Sequence, residues 1–271
     1  MPSSDSLQLS GRLRKMTHEP AEPIRYFLSL DGQPHPLNPH LGKRVRLGFQ
    51  GVITCVECGR KIRKTYDEGY CYPCFRDLPE TDLCAVRPER CEHDRGDEKA
   101  QAFYRTHCRV DHFVYLSLTA GVKVGVTRHW NLPSRWIDQG AVQGLVIART
   151  PERRLAGALE VALARHMADK TNWRKMLKGE VEAVDLTEWR QRALAWVPEN
   201  LRQYWMEDQA VQVLHYPVQA LPEKIVSHNL DKEPAFTDRL TGIKGQYLIF
   251  EHRVINLRKY AGYHIRFEFS G

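Results

Sequence analysis

Seven cysteines, all between Cys55 and Cys108, constrain this chain of 271 residues more than any other feature. Cys55-Val56-Glu57-Cys58 and Cys71-Tyr72-Pro73-Cys74 are two CxxC pairs with twelve residues between them. A tetrahedral zinc ion takes four thiolates at about 2.3 Å, and two tight CxxC turns joined by a hairpin supply them. Four cysteines close the coordination shell, so the spacing predicts a structural zinc in a zinc-ribbon-like segment. A catalytic zinc would keep one position open for water. A thioredoxin-like redox pair would need a βαβ context, which neither pair has. Cys84, Cys91 and Cys108 remain, and Cys108-Arg109-Val110-Asp111-His112 adds a histidine at suitable spacing. These four residues are the candidate second zinc site, of the Cys3His type, with His93 and His107 as competing ligands. Its alternatives are ordinary buried cysteines or an iron–sulfur cluster.

From Cys55 to His112 charged residues are many and apolar ones few, so the segment cannot bury enough surface to fold alone; a metal is expected to organise it. The first twenty residues carry Arg12, Arg14 and Lys15 with no apolar block behind them, which argues against a secretory signal. No apolar run approaches the roughly 18 residues that span a bilayer. The expectation is a cytoplasmic protein with no membrane association. In that compartment crowded cysteines ligate metals rather than form disulfides, so no disulfide-linked partner is expected. With 42% hydrophobic and 27% charged residues, the composition is that of a globular protein and excludes disordered and collagen-like classes.

Forty Lys and Arg against 33 Asp and Glu leave a net charge of +7. Its distribution is uneven: Lys43 to Arg76 holds eight basic and three acidic residues, and Arg239 to Arg266 is a second basic stretch. Clustered positive charge favours a polyanionic partner, here nucleic acid, with DNA and RNA both open. Lys244-Gly245-Gln246-Tyr247 and Asn256-Leu257-Arg258-Lys259-Tyr260 interleave cations, amides and aromatics. Stacking an aromatic on a base contributes about 1–3 kcal/mol while cations follow the phosphates. Lys244, Tyr247, Arg258, Lys259 and Tyr260, with Arg128, are therefore the candidate nucleic-acid-binding residues; a β-core role for the aromatics is the alternative.

Short alternating runs at Gly11–Met16, Ile24–Leu30 and Lys43–Thr54 read as strands of a small sheet. Phe113–Leu118 and Val122–Thr127 have hairpin spacing around Thr119-Ala120-Gly121. Pro133 and Gly140 bracket a short helix, Val142–Ala148 reads as a strand, and Thr150-Pro151-Glu152 opens a longer helix. Trp189–Met206 reads as helix broken at Pro198, and Val211–Val218, Gly245–Phe250, Val254–Leu257 and Tyr263–Phe269 as strands.

Val114-Tyr115-Leu116, then Lys123-Val124-Gly125-Val126-Thr127, Arg135, and Glu160 followed by His166 and Trp173 resemble the GIY-YIG nuclease superfamily. The branch whose second tripeptide reads Lys-Ile-Gly is the most similar. The resemblance covers about residues 113 to 177 and implies a hairpin, helix, strand and helix module that cleaves phosphodiester bonds with one divalent cation, Mg²⁺ or Mn²⁺. By that resemblance Glu160 is the metal ligand and Arg135 the phosphate clamp, a task that suits its planar fork. Tyr115 orients or activates the nucleophile. Lys123 stands where many members have a second tyrosine, and Val114 where the first tripeptide has Gly. The whole chain also resembles an uncharacterised prokaryotic family with a cysteine-rich insert ahead of Lys-Val-Gly, which implies no activity.

The expected fold class is α+β: a GIY-YIG-like module over residues 113–180, a zinc-binding insert over 55–112, a β-rich N-terminal segment over 1–54, and a helical linker with a basic β-rich segment over 181–271. The expected function is nucleic-acid processing by a zinc-containing, divalent-metal-dependent endonuclease. The alternative is a non-catalytic, zinc-stabilised DNA- or RNA-binding protein.

Overall fold

The computed structural model describes residues 7–168 and 170–270. Strands β1 (Leu7–Arg12), β2 (Thr17–Glu19), β3 (Arg25–Leu30) and β4 (Gln33–Pro36) precede the long β5 (Arg44–Thr54) and the short β6 (Lys61–Ile62). The cysteine-rich stretch holds α1 (Tyr72–Asp77) and α2 (Glu98–Phe103), with short 3₁₀ turns between them. There follow β7 (His112–Leu118), β8 (Val122–Arg128), α3 (Ser134–Asp138), β9 (Gln143–Thr150), α4 (Arg153–Ala164), α5 (Trp173–Leu177) and α6 (Leu186–Leu194). Last come β10 (Gln212–Val213), β11 (Ala235–Lys244), β12 (Tyr247–Phe250), β13 (Val254–Asn256) and β14 (Tyr263–Ser270). The protein is thus mixed α+β with antiparallel sheets. Among the described residues no helix is long and apolar enough to cross a membrane.

The chain separates into two units, one running to Arg76 and resuming at His215, the other spanning Asp77–Leu214. In the first, the strand order is β1-β14-β5-β11-β12-β13, with β6 also on β5, and β2-β3-β4 form a smaller sheet. Residues from both ends of the chain join this unit because β5 lies between β14 and β11. Period-two patterning sets the register. Tyr263, Ile265, Phe267 and Phe269 of β14 are buried, and Phe267 and Phe269 face Leu47 and Val45 of β5. On the opposite face Glu268 faces Arg46, an opposite-charge pair that supports the same register. β11 escaped the sequence reading, because Thr237, Asp238, Arg239 and Thr241 dilute its apolar alternation. Val211–Val218, read as one strand, contains only the two-residue β10.

The second unit is built on the sheet β10-β9-β7-β8. Val114, Leu116, Leu118, Val122, Val124, Leu145 and Ile147 point to one face, where Ala156, Leu159 and Leu163 of α4 and Leu186 and Ala193 of α6 cover them. Each fully buried Leu contributes about 1.5–3 kcal/mol relative to exposure. The i, i+3, i+7 spacing of Ala156, Leu159 and Leu163 makes α4 the cover of that face. The hairpin, the short helix, the third strand and the long helix fall where the sequence reading put them. Thr150-Pro151-Glu152, expected to open the long helix, lies ahead of it. α4 starts at Arg153, and Thr150 Oγ1 donates to the Glu152 carbonyl at 3.0 Å. The region read as a helix broken at Pro198 is α6 followed by a 3₁₀ segment, Glu199–Tyr204.

Cross-strand pairing puts Tyr115 opposite Gly125 and Ser117 opposite Lys123, on the face away from α4. There α3 lays Trp136 across Gly144, where a Cβ would stand 2.3 Å from the indole. Gly144→Ala therefore displaces α3 and is expected to destabilise this unit by about 1–3 kcal/mol. All six tryptophans lie in this unit, so urea unfolding followed by tryptophan fluorescence reads the effect directly. Equal midpoints for Gly144→Ala and the parent would contradict the packing.

Candidate functional site

Cys55 directly follows β5, and β6 pairs back on that strand through Ile53 with Ile62 and Thr54 with Lys61. The first CxxC turn closes when the Gly59 amide donates to the Cys55 carbonyl at 3.1 Å. Gly59 takes φ +71°, a left-handed conformation that a side chain would strain. The second pair opens α1, and the Cys71 amide donates to Cys55 Sγ at 3.2 Å. The ligand atoms of Cys55, Cys58, Cys71 and Cys74 lie within 4.8 Å of one another. Cys58 and Cys71 sulfurs are 3.7 Å apart. A tetrahedron with Zn–S of about 2.3 Å has edges of about 3.8 Å, so distance and donor chemistry both fit zinc. Burial alone would raise the Cys55 thiol, but amides of Cys58, Cys71 and Glu57 outweigh it and bring it down to about 6. Hydrogen bonding to the Cys71 thiol, with a smaller share from desolvation, pushes Cys74 up to about 12. Thiols this close cannot all ionise without a cation among them.

The second cysteine group has a different fourth member from the one expected. Cys84, Cys91 and Cys108 gather around His93, not His112. His112 begins β7, where its side chain is 1% exposed and Nδ1–H donates to the Val110 carbonyl at 2.7 Å. The sequence signal for His93 was the Cys91-Glu92-His93 spacing, outweighed there by the histidine that follows Cys108.

Tyr115 is fully buried, its ring covering Gly125, where a Cβ would stand 2.6 Å from the hydroxyl oxygen. Its hydroxyl donates to Gln139 Oε1 at 3.3 Å and is bonded by the Arg135 guanidinium. Glu160 acts electrostatically on both Tyr115 and Arg135, and Asp138 acts on Arg135. Burial raises the Tyr115 pKa despite Arg135, so the group is a neutral phenol at neutral pH. Burial works against the Arg135 charge, but Tyr115, Asp138 and Glu160 outweigh it. Tyr115 and Arg135 thus interact on the α3 face, while Glu160 belongs to α4 and acts on both only electrostatically. Lys123 is buried on the same sheet face, two cross-strand pairs further along. Gln139 and Asp138 were not foreseen.

The candidate nucleic-acid residues fare differently. Lys244 is buried, with its ammonium 5.4 Å from the Tyr216 ring centre, and burial brings it down to about 8. Tyr260 is 1% exposed, and its hydroxyl accepts from the Leu230 amide and donates to the His228 carbonyl. Both are buried in the first unit, so neither offers the exposed binding surface that the alternation of cations and aromatics suggested. Tyr247 is half-buried, and half-buried Arg258 forms an ion pair with Glu68. Lys259 is exposed, and half-buried Arg128 lies over the Trp130 ring at 5.5 Å.

Fold and site define a mixed α+β protein with a cysteine cluster compatible with structural zinc. Residues 42–265 match the family described as "Protein of unknown function (DUF2797)", and the chain belongs to that family. No curated protein and no solved structure matches the chain.

Cys71→Ser is expected to lose the metal of the first quartet, by elemental analysis, and to lower the unfolding temperature of its unit; retained metal would contradict the assignment. His112 gives a pH dependence. Burial lowers it to about 4 from an ordinary value of 6.5, so the unfolded chain binds the extra proton between these values. Stability is full above about pH 6.5 and falls on acidification, by about 3 kcal/mol at the lower end. In urea melts read by tryptophan fluorescence, His112→Phe is expected to flatten this slope relative to the parent. An unchanged slope would show that His112 is already charged in the folded protein.

Proposed function

We propose that this protein binds nucleic acid and cleaves phosphodiester bonds at a centre formed by Tyr115, Arg135, Glu160 and Lys123. The observation that carries the reading is the bonding of Arg135 to Tyr115 with Glu160 in electrostatic reach of both. The order β7, β8, α3, β9, α4 is also the one that the GIY-YIG resemblance implies.

Arg135 is the phosphate clamp. Its guanidinium has five donors, so bonding to Tyr115 leaves others for phosphate oxygens. Tyr115, neutral and buried, aims that guanidinium and acts as a positioning residue. Glu160 is a hard oxygen donor of the type Mg²⁺ takes alongside its own waters. A divalent cation held there would neutralise charge on the phosphate and lower the pKa of a bound water. Lys123 adds positive charge on the same sheet face. The exposed Lys259 and the basic stretch from Lys43 to Arg76 would contribute sequence-independent attraction to nucleic acid.

A second reading, non-catalytic nucleic-acid binding on the same fold, is favoured by one observation: Tyr115 and Lys123 are both buried. Incubation of the full chain with tRNA, single-stranded DNA and duplex DNA in Mg²⁺ or Mn²⁺ separates the readings. Cleavage is expected, reduced about 10²–10³-fold in Glu160→Gln and Arg135→Ala, as for other groups that stabilise transition-state charge. Tyr115→Phe is expected to lose about tenfold, the worth of one positioning hydrogen bond. Salt-sensitive binding without cleavage would establish the second reading, and a Glu160→Gln protein as active as the parent would exclude the first.

A further inference from the structure

Cys84, Cys91, His93 and Cys108 lie outside the centre just described. His93 Nδ1 stands 3.6 Å from Cys84 Sγ, 3.9 Å from Cys91 Sγ and 3.7 Å from Cys108 Sγ. Zn–S of about 2.3 Å and Zn–N of about 2.0–2.1 Å give tetrahedral N···S edges of about 3.5–3.6 Å. The three separations are therefore close to what a shared ion requires, and the four side chains are 0–7% exposed. From these distances we infer that the four residues form a second structural zinc site, Cys3His, that fastens residues 79–111 to the start of α4.

The surroundings are those of a metal ligand set. His93 Nε2 faces Asp82 Oδ2 at 3.4 Å, and Asp82 Oδ1 accepts from the Cys84 amide at 3.2 Å. A carboxylate on the far ring nitrogen fixes the tautomer and leaves the Nδ1 lone pair for the ion, the usual outer partner of a ligating histidine. Cys108 is delivered by a single π-helical turn, Tyr104–Cys108, an irregularity that recurs at functional sites. Three thiolates and Zn²⁺ carry one net negative charge. Arg153 answers it, its Nη1 donating to Cys84 Sγ at 3.5 Å and to the Cys84 carbonyl at 3.3 Å. Arg154 donates to the Cys91 carbonyl and to Asp94 Oδ1. Around the sulfurs the apolar cluster offers only Phe103 and the partly buried Tyr104, too little to hold three loops together.

These contacts fall on the first turn of α4, and the next turn is tighter still. A Cβ on Gly157 would stand 2.2 Å from the Glu89 nitrogen and 2.6 Å from the Pro88 carbonyl carbon. The turn between Cys84 and Cys91 thus lies directly on the helix.

Elemental analysis of the full chain purified with zinc is expected to give two ions per chain. His93→Ala and Cys91→Ser are each expected to give one, and His112→Ala two. Cadmium-113 NMR of the cadmium-exchanged parent, which does not depend on the variants folding, is expected to show two resonances, one in the four-sulfur range and one in the three-sulfur, one-nitrogen range. A single four-sulfur resonance, two ions retained in His93→Ala, or one lost in His112→Ala would each overturn the assignment. Because none of these readouts involves cleavage, failure here is distinct from failure of the proposed function.

Discussion

Convergence of thiols substitutes for a hydrophobic core across residues 55–111. Fixing a backbone costs about 1–2 kcal/mol per residue, and burial of apolar side chains is the usual compensation. This stretch has little to bury: α1 contains no buried residue, and the cluster around Cys84 adds only Phe103 and Tyr104. Its short 3₁₀ turns carry few of the repeating hydrogen bonds that sustain longer helices. Sulfur ligands at tetrahedral spacing would let one ion per cluster organise the loops, and binding free energy would then act as folding free energy. In the first unit such an ion would stabilise the end of β5, and in the second the start of α4.

The other constraint is a four-stranded sheet covered on both faces. One face is an ordinary aliphatic core under α4 and α6. The other carries polar groups under α3, and a buried polar group must be bonded. Tyr115, Gln139 and Arg135 meet that requirement together, and Gly125 provides the flat ground on which the tyrosine ring lies. The same arrangement keeps a guanidinium next to the tyrosine and within electrostatic reach of Glu160, which relates the packing of this sheet to the proposed chemistry.

Much of this was legible in the sequence because the signals were local. CxxC spacing identified the first quartet, period-two alternation located β7, β8, β9 and β14, and Thr150-Pro151-Glu152 marked the approach to α4. What escaped depended on long-range packing. β11 is bonded between β5 and β12, so its charged residues sit on a strand that its own pattern does not announce. His93 prevailed over His112 because the π-turn brings Cys108 back toward the Cys91 turn, while His112 is drawn into β7 with its ring bonded to the Val110 carbonyl. Lys244 and Tyr260 looked like a binding surface because cations and aromatics alternate there. Only the packing of the first unit reveals that their side chains are inside.

Hydrogen exchange of the full chain before and after zinc chelation tests the metal dependence most directly. Protection in residues 55–76 and 79–111 is expected to fall after chelation, while β7, β9 and the centres of β5 and β14 retain theirs. Unchanged protection in both cysteine segments once the metal is gone would contradict a core supplied by zinc.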